Sequence, residues 1–184
     1  MSGRPRTIDR DKVLDAAEAI VSRVGASGLT FEAVARAAGI TKGGVQYCFG
    51  TKENLIHAMI LRWGTAFDAA VEAHQAGDTS PQARIRAHIL ATRDSDDAEN
   101  ARSAVMMTAL LQSPEQVADS RDWYNDKLAG LDLNDPADLR TTIAFLAAEG
   151  TFFLRAFRLL DLPDQDWDRL QDSIVALVSA PKQP

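Results

Sequence analysis

Apolar residues return every third or fourth position along most of this chain, and no stretch alternates with the period of two that marks a strand. The pattern predicts an all-α protein. Val13, Leu14, Ala17, Ile20, Val21 and Val24 form one stripe of a first helix that starts at Asp9 or Arg10 and is ended by Gly25. Thr30 precedes a short helix carrying Phe31, Val34, Ala35 and Ala38, Gly39 breaks it, and Thr41 precedes another through Val45 and Phe49. Thr51 then caps a fourth helix from Lys52 to Gln75, with Leu55, Ile56, Met59, Ile60, Trp63, Phe67, Ala70 and Val71 facing inward before Gly77. At 1.5 Å per residue it is about 36 Å long, enough to belong to two domains.

The second half continues in the same period. Pro81 opens a helix to about Arg93, which the polar run Asp94-Ser95-Asp96-Asp97 ends. A helix over Ala98–Gln112 carries Met106, Met107, Leu110 and Leu111, and one over Pro114–Leu128 carries Trp123 and Tyr124. After a turn-rich connection, helices are expected over about Ala137–Leu160 and Asp164–Ser179, separated at Leu162-Pro163. In the first of these, Leu139, Ile143, Leu146, Gly150, Phe153 and Phe157 form one stripe, and Phe145, Phe152, Ala156 and Leu159 form another on the opposite side. A helix apolar on both sides is buried on both sides. One side covers its own domain and the other asks for a partner, so Gly150, Phe153 and Phe157, with Trp167, Leu170, Ile174, Leu177 and Val178 of the last helix, are the expected dimer interface, an isologous four-helix bundle.

Composition changes this picture little, and charge changes it more. The 184 residues are 46% apolar and 25% charged, ordinary for a globular protein. Apolar runs stop well short of the roughly 18 residues of a membrane helix and the start lacks a signal peptide's apolar core, so a cytoplasmic protein with no membrane partner is expected. One cysteine, Cys48, rules out an internal disulfide, and His57, His74 and His88 are too scattered to suggest a metal; no cofactor is expected. Residues 1–52 carry a net charge of +3 and residues 53–184 a net of −9. A basic end suits a polyanion, while the acidic remainder would be repelled by it and point away. Arg4 and Arg6 around Pro5 form either a basic arm or a solvated terminus.

Three helix starts and a Gly-centred break crowd into residues 29–56, L-T-F-E-A-V-A-R-A-A-G-I-T-K-G-G-V-Q-Y-C-F-G-T-K-E-N-L-I. Two short helices joined at such a turn are what places a recognition helix in a major groove. Residues 9–56 resemble the N-terminal domain of the tetracycline-repressor (TetR) family, about a quarter of the chain. The resemblance implies a helix-turn-helix domain over 1–52, sharing the start of helix four, and a helical effector-binding and dimerisation domain over 53–184. It implies a double-stranded DNA operator, a small-molecule effector and a homodimer. It also implies DNA contacts from Thr30, Lys42, Gly43, Gly44, Gln46, Tyr47 and Lys52. Of these, Thr30 and Lys52 are expected on phosphates and Lys42, Gly44 and Gln46 at base edges, with the two glycines bringing the backbone close. One departure concerns operator choice: the aromatic usual after the apolar residue of the third helix is replaced by Gln46, with the tyrosine one place later at Tyr47.

For the effector, the candidates are Trp63, Phe67, Met106, Leu110, Trp123, Tyr124, Phe145 and Phe152, an apolar and aromatic set suited to a pocket between helices. Glu149 lies between Phe145 and Phe152 on one helical face, where an unpaired carboxylate is costly to bury. It either pairs with an arginine such as Arg102 or Arg155 or meets a cationic or hydroxyl-bearing ligand. A repressor released from its operator by a small apolar or cationic effector is the leading reading. The alternative is a small helical enzyme or ligand carrier that uses the helix-turn-helix only structurally, although no nucleophile elbow, phosphate loop or zinc motif occurs.

Overall fold

Helix α1 (Arg10–Val24) starts where Asp9 accepts the backbone N–H of Asp11 and Lys12 and ends at Gly25, which adopts a positive φ. In this computed structural model, residues 8–95, 99, 103, 107 and 114–179 are described, residues 26 and 114–116 by backbone alone. Among them every regular element is helical. A 3₁₀ turn (Ala26–Gly28) leads into α2 (Phe31–Ala38), α3 (Lys42–Phe49) and α4 (Lys52–Gln75). All three expected threonine caps form: Thr30 accepts the N–H of Ala33, Thr41 that of Gly44 and Thr51 that of Asn54, at 3.0–3.1 Å. Gly39 takes the left-handed conformation that the sharp turn between α2 and α3 demands. Val24, expected on the α1 stripe, is exposed instead.

The remaining helices are α5 (Pro81–Asp94), α6 (Pro114–Leu128), α7 (Pro136–Ala156) and α8 (Asp164–Ser179). Of the segment 96–113, Glu99, Ser103 and Met107 are helical; the rest of the helix expected there lies outside the described residues. Two cores result. The first gathers Val13, Leu14, Ala17, Ile20 and Val21 of α1, Val34, Ala35, Val45 and Phe49 of the helix-turn-helix, and Leu55 and Met59 of α4. The second joins Ile85 and Ile89 of α5 to Ala144, Phe145 and Ala148 of α7 and Ile174 of α8, with Val71 of α4 packed on Ala87 and Ala91 beside it. Helix α4 therefore has one end in each core.

Helix α5 is enclosed by its neighbours, with Ala83, Ile85, Ala87, His88, Ile89, Ala91 and Thr92 all buried, while α7 buries Phe145 in its own domain and leaves Leu139, Ile143 and Leu146, on the side expected to meet a partner, exposed. Two expectations change. Helix α7 stops at Ala156 rather than Leu160: Arg158 adopts a left-handed φ of 52°, and the N–H groups of Leu159 and Arg158 close on the carbonyls of Leu154 and Arg155. This is a Schellman closure with arginine in the place glycine usually takes, so nothing in the composition marks it. In α8, Trp167 and Ile174 are 4% and 6% exposed and Val178 packs on the same core, so these three face inward; Leu170 and Leu177 remain exposed. The phase slips because Gln171 holds an inward position, its amide donating to Thr151 Oγ1 at 3.0 Å.

Candidate DNA-contacting face and effector cavity

Helix α3 turns Gly44, Val45 and Phe49 into the first core and leaves Lys42, Gly43, Gln46 and Tyr47 on its solvent side. Tyr47 is 87% exposed, a large aromatic surface left bare at the outermost turn. The Lys42 ammonium lies 2.5 Å from Glu32 Oε1 of α2, and hydrogen bonding to it holds the Glu32 carboxyl below the usual range. Gly43 has open space around it: a Cβ there would meet only Thr41 Oγ1, at 3.9 Å. Gly44 differs. It is buried, and a Cβ would come within 3.0 Å of Ile8 Cδ1 and 3.5 Å of Ile40 Cδ1, so packing alone favours a glycine at this position. Thr30 and Lys52 are exposed at the starts of α2 and α4, where unpaired helical N–H groups favour an anion. Arg4 and Arg6 lie outside the described residues.

Helix α4 is tied to α1 by Arg62, which the sequence reading missed. Its guanidinium is 2.8 Å from Asp15 Oδ1 and 2.8 Å from Glu18 Oε1 and donates to the Asp11 carbonyl oxygen at 3.4 Å. Burial disfavours its charge, and the two carboxylates more than offset that, leaving the group harder to deprotonate than usual. The signal was available: Asp11, Asp15 and Glu18 share one face of α1, opposite its apolar stripe.

Beside Arg62, Trp63 enters the wall of a cavity of about 300 Å³ between α4, α5, α6 and α7. Of the expected ligand residues, Trp63, Phe67, Trp123, Tyr124, Glu149 and Phe152 line it. Trp63 stacks on Phe67 with centroids 5.6 Å apart, and Trp123 meets Tyr124 edge to face. Phe145 does not line it; it is 1% exposed and backs the wall from the core, its ring 5.0 Å from that of His88. Met106 and Leu110 lie outside the described residues, and neighbouring Met107 is in the lining. The lining also includes His57, Leu61, Gly64, Asp68, His88, Thr92, Ser95, Ser103, Asp119 and Ser120, which the sequence reading did not assign.

At the inner end, His88 Nε2 lies 2.7 Å from Glu149 Oε1 and the Tyr124 hydroxyl donates to Glu149 Oε2 at 2.5 Å. Of the arginines considered as partners for Glu149, Arg155 lies 3.7 Å from Asp164, and Arg102 is outside the described residues. Burial, then the Glu149 charge, holds Tyr124 protonated well above the usual phenol range. His88 Nδ1 is buried with no hydrogen-bond partner among the described residues. At the rim, Lys127 Nζ sits 4.4 Å from the centroid of the Trp123 ring and 3.2 Å from Asp68 Oδ1. No cluster able to hold a metal ion occurs among the described residues, and none of their helices is long and apolar enough to cross a membrane.

Comparison with known proteins agrees with this geometry. Residues 13–59 match the family "Bacterial regulatory proteins, tetR family", and residues 82–179 match "Tetracyclin repressor-like, C-terminal domain". A 90-residue stretch is 34% identical to the HTH-type transcriptional regulator BetI of Burkholderia thailandensis, covering 48% of this chain and 46% of that protein, so the match spans about half the length of the curated relative. The fold is shared with the multidrug binding protein EbrR, solved with imidazole, at a TM-score of 0.68 and 22% identity over 99% of this chain and 97% of that one. It is shared too with a TetR-like transcriptional regulator of Rhodococcus sp. RHA1, at a TM-score of 0.63 and 22% identity over 96% and 97% of the two chains. A helix-turn-helix with its outer face bare, carried on a long helix that runs into a second helical core, and matched on both halves, leaves no place for the enzyme reading: the chain belongs to the TetR family of DNA-binding transcriptional regulators.

Proposed function

We propose that this regulator is a homodimeric repressor whose affinity for a pseudo-palindromic operator falls when a small molecule occupies the cavity. The observation that carries the proposal is the double membership of α4. Leu55 and Met59 are buried in the DNA-binding core, while Trp63 and Phe67, one and two turns on, form the cavity wall. A ligand that packs better against one position of α4 than another shifts the helix-turn-helix by that difference in affinity. Lys42, Gly43, Gln46 and Tyr47 are the groove-facing candidates, with Thr30 and Lys52 as phosphate contacts.

The dimer draws support from the exposed leucines and isoleucine of α7 and α8: Leu139, Ile143, Leu146, Leu170 and Leu177, on two neighbouring helices, are the surface a second copy would cover. Gly150, Phe153 and Phe157 continue the α7 stripe as half-buried positions. That EbrR was solved with a small molecule supports the use of this fold around a ligand. Such a regulator works beside the chromosome, in the cytoplasm. Selection of duplexes from a random pool tests the operator reading. Enriched sites should have two related halves about one helical turn apart, and enrichment of nothing, or of a lone half-site, would overturn it.

A further inference from the structure

A largely buried carboxylate lines the cavity. Glu149 has a side chain only 14% exposed, and its partners are a phenol and an imidazole. His88 Nε2 lies 2.7 Å from Glu149 Oε1, and its Nδ1 is buried with no hydrogen-bond partner among the described residues. Asp119 adds a carboxylate to the lining, as does Asp68, which Lys127 pairs, and no lysine or arginine is itself in the lining among the described residues. The walls are ring faces, with Trp63 lying nearly parallel to Phe67 at an interplanar angle of 17°. The molecule also supplies its own precedent, since Lys127 places an ammonium over the Trp123 ring and against Asp68.

We infer that the cavity takes a flat, largely apolar organic cation, its rings between the aromatic walls and its positive group against the Glu149 carboxylate. This rests on the reading of the cavity as the effector site and names the class of ligand for it. An anion would meet the Glu149 carboxylate, and a neutral hydrocarbon would bury it further with nothing beyond its contacts to Tyr124 and His88. A cation gains both the charge and the ring faces.

The test is calorimetric titration with three matched probes: 1-methylquinolinium, its uncharged counterpart 1-methylnaphthalene, and 1-naphthoate. The cation should bind at least about tenfold more tightly than the hydrocarbon, and the anion more weakly than either. Glu149→Gln should remove the preference for the cation while changing hydrocarbon affinity by less than about threefold. Tyr124→Phe, which keeps the charge and loses only the donor, should retain it. Equal affinities in the unaltered protein, tighter binding of the naphthoate, or a preference that survives Glu149→Gln would each overturn the inference. If the cation binds as stated and operator affinity does not move, the cation site stands and the effector reading fails. If the hydrocarbon alone binds and releases DNA, the effector reading stands and the inference fails.

Discussion

Arg62 holds Glu18 at 2.8 Å across the junction of α4 and α1, one residue before Trp63 enters the cavity wall. The ion pair and the cavity wall thus share one turn of helix. Charge-assisted bonds to two carboxylates fix the side chain where a single exposed pair would contribute little.

Arg62→Ala should therefore uncouple the two ends of α4. Because the group is partly exposed, the loss of stability should be modest, about 1–2 kcal/mol. Ligand affinity of the cavity should be nearly unchanged, while the ratio of operator affinities without and with ligand moves toward one. A variant whose ratio is unaltered would show that the signal bypasses this contact.

On the DNA face, the two kinds of contact separate by salt and by sequence. Lys52→Ala should weaken all duplexes alike and lower the salt slope by about one unit per protomer. Gln46→Ala should change preference at one base position, at a cost of about 1–3 kcal/mol on the preferred site if the amide pairs bidentately. Affinity measured at several salt concentrations on preferred and mismatched duplexes reads both.

For the dimer, burial predicts opposite outcomes on two helices. Ile143→Glu with Leu146→Glu, at exposed positions, should give folded monomers with weakened operator binding. Ile174→Asp, in the protomer's own core, should lower the melting temperature strongly whatever the oligomeric state. Equilibrium sedimentation and thermal melts distinguish them, and a dimer that persists in the double glutamate variant would place the interface elsewhere.

Tyr124 makes a pH prediction with a definite sign. The chain has two tyrosines, so Tyr47→Phe leaves Tyr124 alone to report. Burial and the Glu149 charge raise its folded pKa above the unfolded value of about 10. Between those values the unfolded chain binds fewer protons than the folded one, so this contribution to stability is intact below about pH 10 and is lost as pH rises beyond it. Phenolate absorbance should accordingly rise with unfolding rather than before it; a phenol that ionises near pH 10 in the folded protein would contradict the buried network.

Which parts of this were legible in the chain follows from where the determinants sit. Thr30, Thr41 and Thr51 act on N–H groups three residues away, so the helix starts could be read locally, and the bounds of α3, α4, α6 and α8 agree with the pattern. Arg158 shows the limit of that punctuation, since an arginine closing a helix in a left-handed conformation resembles any other helical arginine. Gln171 shifted the reading of α8 because a buried glutamine whose amide donates to Thr151 is indistinguishable in sequence from a solvated one. His88 lies 61 residues from Glu149, and only the packing of α5 on α7 brings them together. Its place among Ile85, Ile89 and Thr92 on an otherwise buried helix was the available clue.

The most direct test of the account is one linkage measurement: fluorescence anisotropy of a labelled duplex carrying the selected site, titrated with this protein at fixed salt, without and with a saturating cavity ligand. Occupancy of the cavity should weaken operator binding by about tenfold or more, a coupling in the usual range of 1–3 kcal/mol, and the duplex should weaken ligand binding by the same factor. Superimposable titrations with and without ligand, once calorimetry has shown the cavity to be full, would contradict it.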